Sequence, residues 1–134
     1  MAMTIDDKRA IITYRIQKSS QVMIEARDNA KLGHWSLVAN RLYYALFHAG
    51  SALVLDKGYT IKSHSGLICL LGQECVIKGL LTKDDAKLVS RLFNMRQTGD
   101  YDDFDDWDEQ DVFPLIEKTE RLLDKINSLL VLNK

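Results

Sequence analysis

The sequence is poor in residues that interrupt helices: its 134 positions hold one proline, at position 114, and seven glycines. That scarcity argues against many short strands joined by turns and for long helices. Cysteine is scarce as well. Cys69 and Cys75 stand six positions apart, which on one helix means about 9 Å of rise and ~120° of rotation, beyond the ~7 Å a disulfide spans. They read as free thiols of a reducing compartment. Long apolar runs are missing. The least polar stretch, Ala45–Leu55, contains His48 and Ser51 and falls short of the ~18 residues of a spanning helix. The Met1–Ala10 segment is too polar for the core of a secretory signal. A soluble cytoplasmic chain without membrane association is expected. Net charge is nearly absent, at −1, yet residues 100–111 carry eight acids and no base, which leaves 18 bases against 11 acids elsewhere.

The composition, 46% apolar and 28% charged, is that of a folded domain and not of a disordered tail. The length suits a single domain spanning residues 1–134, large enough to bury a core without a metal or disulfide staple. Helical periodicity runs nearly throughout. Thr4 with Asp6 and Asp7 opens a first helix of about 5–32, stopped by Gly33, with Ile12, Ile16, Ser19, Met23, Ala26 and Ala30 on its buried stripe. A second helix covers about 35–57 and ends at Gly58; a third covers about 64–78, closed by Gly79. Thr82-Lys83-Asp84-Asp85 begins a fourth that reaches about Thr98. Residues 99–111 read as a long break, after which a fifth helix starts near Asp111 or bends at Pro114. The predicted fold is all-α, an antiparallel up-and-down bundle of four long helices plus a shorter fifth.

The second helix carries unexpected chemistry. Asn40-Arg41-Leu42-Tyr43-Tyr44-Ala45-Leu46-Phe47-His48-Ala49 sets a charge, two tyrosines and a histidine on an element that should be central and apolar. Seven residues turn a helix through about 700°, so Arg41 and His48 point within ~20° of each other with Tyr44 between. One account is structural: Arg41 pairs with an acid, for which the acid-rich break is a candidate, and His48 is a satisfied core histidine. The other is a polar site. Arg96-Gln97-Thr98-Gly99-Asp100-Tyr101 places a second arginine at a helix end, where a glycine turn would return an acid and a tyrosine to the bundle.

Taken together, Arg41, Tyr44, Phe47 and His48, then His64, then Arg96, Asp100 and Tyr101 form an ordered pattern. It resembles the HEPN family (higher eukaryote and prokaryote nucleotide-binding domains), and its small stand-alone bacterial and archaeal branch in particular. The motifs are R-x-Y-Y-A-x-F-H-A on the second helix and R-x-x-x-D-Y after the fourth, and the resemblance extends over roughly residues 15–130. It implies a two-fold homodimer with Arg41, Tyr44, His48, Arg96, Asp100 and Tyr101 in or beside its groove, and binding of nucleotide or RNA. It also implies a possible partner, a minimal nucleotidyltransferase in a toxin–antitoxin pair, where a tyrosine can be modified with nucleotides. Many relatives are metal-independent ribonucleases whose arginine is followed four to six residues later by a histidine. Arg96 matches that arginine, but Gln97-Thr98-Gly99-Asp100-Tyr101-Asp102-Asp103 holds no histidine. A ribonuclease needs a group that exchanges protons near neutral pH, and His48 is the candidate to join Arg96 in that role.

The expected site is therefore Arg96 and His48 if the protein is catalytic, with Arg41, Tyr44, His64, Asp100 and Tyr101 as binding residues. Tyr101 is either near the modifiable tyrosine or a cap on a buried network. His64, at the start of the third helix, is either an anion contact or ordinary capping. Two thiols and three histidines without zinc spacing predict no metal, and no glycine-rich phosphate loop predicts a cofactor. Tyr101, Phe104 and Trp107 within the acidic run suit a solvated loop with aromatics tucked on the bundle, a docking site for a basic protein, or a surface that repels nucleic acid. Arg9, Arg15, Lys18, Arg27 and Lys31 on the first helix form no clean stripe. Three functions follow: a nucleotide or RNA binder, an RNA endonuclease, and a structural interaction module.

Overall fold

The computed structural model describes residues 3–101 and 107–131, with the side chains of 97–101 outside that description. Its elements are α1 (Ile5–Lys31), α2 (Trp35–Asp56), α3 (His64–Leu70) running into a π-helical stretch (Leu71–Cys75), α4 (Lys83–Tyr101) and α5 (Glu109–Leu129). No strand occurs among the described residues. The third helix is the short one, and the other four are long.

Helix starts follow side-chain caps. Thr4 and Asp7 form a capping box at α1, and Asp108 and Asp111 form another at α5. At α4 the Thr82 hydroxyl accepts from the Asp85 amide at 3.1 Å while the Asp85 carboxylate accepts from the Thr82 amide at 2.9 Å. Each box satisfies two otherwise orphaned donors. Gly33, Gly58 and Gly79 all adopt positive φ at the ends where stops were expected.

Cross-helix contacts fix direction. Arg15 meets His48, Ser19 meets Ala45 and Glu25 meets Arg41, so α1 and α2 run antiparallel. Trp35 packs on Phe113 while Lys57 bonds the Leu129 carbonyl, so α5 runs parallel to α2. Asp85 meets Lys125 and Met95 meets Trp107, so α4 opposes α5. The long helices thus alternate up and down around α2, which packs on α1, α4 and α5. Val38, Leu42, Tyr43, Leu46 and Leu53 of α2 are fully buried. The stripe of α2 that stays half-open is Arg41, Tyr44, Phe47 and His48.

Three boundaries differ from expectation. The third helix is not one continuous α-helix over 64–78: it widens into π geometry at Leu71–Cys75. There a Cβ on Gly50 of α2 would stand 3.0 Å from a Leu71 methyl, so the two backbones approach closely. The break expected from Gly99 is shorter, because α4 continues to Tyr101; mid-helix glycine costs about 1 kcal/mol but does not oblige a stop. The last helix starts at Glu109, set by the Asp108 box, and carries Pro114 in its second turn without a new start. Among the described residues no helix is long and apolar enough to cross a membrane.

Candidate functional site

The half-open stripe of α2 meets α1, α3 and α4 in one aromatic wall edged by three guanidinium groups. Tyr43, Tyr44 and Phe47 supply α2's rings, His64 stacks on Phe47 with centroids 4.3 Å apart, and Phe93 of α4 lies 5.6 Å from Tyr43. The Arg15 guanidinium sits 5.4 Å over Phe47, Arg41 sits 5.3 Å over Tyr44, and Arg96 sits 5.7 Å and 5.5 Å over Tyr43 and Tyr44. Contacts of this length are attractive through the ring quadrupoles. Arg96 Nε also donates to the Tyr44 hydroxyl at 3.1 Å, tying α4 to α2.

Hydrogen bonds set the imidazole states. Arg15 Nη1 donates to His48 Nδ1 at 2.9 Å. A guanidinium only donates, so this nitrogen is unprotonated and Nε2 carries the hydrogen. Burial, then Arg15, Lys18 and Arg41, push His48 down to about 4. Burial and Arg96 also lower His64, whose Nδ1 pairs with the Tyr43 hydroxyl at 2.5 Å. Burial raises Tyr43, against the pull of Arg96. At neutral pH the rings of His48 and Tyr43 are uncharged, and the positive charge of the wall belongs to the arginines.

The expected residues fare differently. Arg41, Tyr44, His48, His64 and Arg96 converge on this wall, with Phe47 and His64 standing between His48 and the tyrosines that hold Arg96. Among the described residues the acid on Arg41 is Glu25 of α1, at 3.1 Å, and Asn40 accepts two further bonds; most of the acidic run lies outside that description. His64 serves through its ring; Ser63 is the cap, accepting from the Gly66 amide at 2.9 Å. Asp100 and Tyr101 close α4, but their side chains lie outside the described residues, as does Phe104. Trp107 is tucked on the bundle: its amide donates to the Ser36 hydroxyl and its indole N–H to the Met95 carbonyl. Sequence reasoning left Arg15 among scattered bases. Its position one turn before Ser19, on the buried stripe of α1, was the available signal. Cys69 is exposed, Cys75 is buried, and both are free. No group of three or more His, Cys, Asp or Glu gathers among the described residues.

Comparison with known proteins places the chain in a family. A model of the HEPN domain matches residues 12–129. A UPF0332 protein of Thermotoga maritima is 34% identical over 126 residues, covering 94% of this chain and 96% of that relative. Another UPF0332 protein, from Archaeoglobus fulgidus, is 28% identical over 90% of this chain and 95% of its own. The Methanocaldococcus jannaschii protein named "Putative toxin MJ0605" is 27% identical over 91% of this chain and 96% of its own. With the match running from the second turn of α1 to the last residue of α5 and taking in every side chain of the aromatic–arginine wall, the chain belongs to the HEPN domain family.

Proposed function

We propose that this protein binds RNA or a nucleotide at the wall formed by Arg15, Arg41, Tyr44, Phe47, His64 and Arg96. The supporting observation is the approach of three guanidinium groups, from α1, α2 and α4, to the half-open rings of Tyr44 and Phe47 on one helix. Guanidinium groups pair with phosphate oxygens, and open aromatic faces stack on bases. We place the protein as the HEPN half of a toxin–antitoxin pair with a minimal nucleotidyltransferase, acting as a cytoplasmic homodimer; the toxin name of a relative fits that setting. The test is titration of labelled single-stranded RNA and of ATP into the protein. Arg96→Gln should weaken binding at least tenfold with the helical circular-dichroism spectrum retained. Equal affinity of wild type and Arg96→Gln would remove the proposal. Sedimentation equilibrium tests the dimer, and a monomer across the micromolar range would count against it.

A second proposal, endonuclease activity, has one favourable observation. The His64 ring lies edge-on to Tyr44, whose hydroxyl accepts from Arg96 Nε, so the proton-transfer group missing from the sequence after Arg96 has a counterpart on another element. His48 suits that role less, because Phe47 and His64 stand between it and the tyrosines that hold Arg96. RNA cleavage lost in both Arg96→Ala and His64→Ala, but kept in His48→Gln, is the expected pattern for an active nuclease. Intact RNA with micromolar wild-type protein leaves the binder alone standing.

A further inference from the structure

We infer that the groove between α4 and α5 is a second contact surface for a single-stranded RNA backbone, separate from the aromatic wall. The inference extends the proposed RNA binding to a part of the molecule the family motifs do not touch. Lys87 and Arg91 stand one turn apart on the α4 rim, and Lys118, Arg121 and Lys125 follow the α5 rim. Leu88, Leu115 and Leu122 form the floor of a space of about 500 Å³. Against these five bases the groove holds two acids, Asp84 and Asp85.

Pairing divides the bases unequally. Lys125 is held by Asp85 at 2.6 Å, and Arg121 bonds Glu117 one turn earlier at 2.5 Å. Lys87, Arg91 and Lys118 are exposed and, among the described residues, take part in no hydrogen bond or ion pair. Positive charge without internal partners, spread along two facing rims, matches a linear anion whose charges repeat at intervals. Releasing the counterions of such an anion is the usual source of affinity for nucleic acid. The groove does not end at Arg91. A hollow of about 580 Å³ continues from Lys87 and Arg91 past Ser90 to the indole of Trp107. A cationic track leading to an aromatic ring is the recurring form of single-strand binding sites. The shared element is α4, which carries Lys87 and Arg91 on the groove and Arg96 on the wall.

The experiment compares three full-length proteins: wild type, the groove variant Lys87→Gln/Arg91→Gln/Lys118→Gln, and Arg96→Gln. Each is titrated with fluorescein-labelled oligouridine at salt from about 50 to 300 mM, the range over which phosphate contacts are lost. Losing three contacts should flatten the log Kd against log salt slope by about 2, since each single-strand contact contributes about 0.7. Affinity at low salt should fall at least tenfold. In a Trp35→Phe background, oligouridine should change the remaining Trp107 emission, and the groove variant should abolish that change. An unaltered salt slope in the groove variant overturns the inference, whatever Arg96→Gln does. Loss of binding in Arg96→Gln alone leaves the wall and removes the groove; loss in the groove variant alone does the reverse. A groove that binds an acidic peptide and not oligouridine also overturns it.

Discussion

His48 shows how a single side chain links packing to pH. Its ring is half-buried, accepts from Arg15 and lies near Lys18 and Arg41. Protonating it in the folded state is therefore opposed, and its value falls from 6.5 to about 4. The unfolded chain takes up that proton first, so the stability contributed by the neutral ring is complete above about pH 6.5 and is lost as pH falls toward 4. His64 shifts in the same direction. Thermal midpoints should therefore drop between pH 7 and pH 4.5, and His48→Gln should flatten part of that drop; an identical pH slope in the variant would contradict the assignment. Thr119 gives a second residue-scale prediction. Its hydroxyl is fully buried in α5 and has no hydrogen-bond partner among the described residues. An unmet buried hydroxyl costs roughly 1–3 kcal/mol, so the near-isosteric Thr119→Val should raise the melting temperature by about 3 °C. A lower melting temperature would show that the hydroxyl is satisfied. At this scale the sequence revealed which residues were odd, Arg41 and His48, because charge in an apolar helix is visible without a structure. It did not reveal their partners. Glu25 and Arg15 come from the preceding helix and Phe93 from α4, and only the packing of those helices brings them to α2.

Element boundaries were legible wherever a local signal acts alone. Thr4 with Asp7, and Thr82 with Asp85, are capping boxes readable from four residues, and Gly33, Gly58 and Gly79 mark stops. Asp108 with Asp111 is the same device, hidden among acids that looked like loop. Two features lacked a local signature: the π-helical stretch at Leu71–Cys75 and the passage of α4 through Gly99. Such departures follow from tertiary packing, which overrides propensities of about 1 kcal/mol. Asp85 joins two elements. It caps α4 through Thr82 and holds Lys125 near the end of α5. Burial acts to raise its carboxyl, but Lys125 and Thr82 prevail and hold it below the usual carboxylate range. Asp85→Ala should therefore cost about 1–2 kcal/mol, more than a simple cap loss, and lower the urea midpoint. Asp85→Asn, which keeps an acceptor for the Thr82 amide, should recover part of that loss. No difference between the two variants would mean that the cap contributes nothing.

For the whole molecule, the net charge of −1 is the difference between a basic body and one acidic segment. A polyanion approaching the aromatic wall or the α4–α5 groove meets arginines and lysines, while the eight acids of residues 100–111 add an opposing charge to the whole molecule. Long-range fields of this kind act mainly on encounter and decay over about 10 Å at 0.1 M salt. Part of the segment is structural, since Asp108 and Asp111 cap α5. Four of the remaining six acids can be neutralised without touching that cap. Replacing Asp102, Asp103, Asp105 and Asp106 with asparagine changes the net charge from −1 to +3. If the segment acts by repelling RNA, the variant should bind oligouridine several-fold tighter at about 50 mM salt, and the two proteins should converge by about 0.5 M, where screening is nearly complete. A docking role for a basic partner predicts a different outcome: unchanged RNA affinity at every salt concentration, with loss of the partner complex. Because salt removes the field but leaves direct contacts largely in place, the convergence at high salt separates repulsion at a distance from any contact these aspartates make.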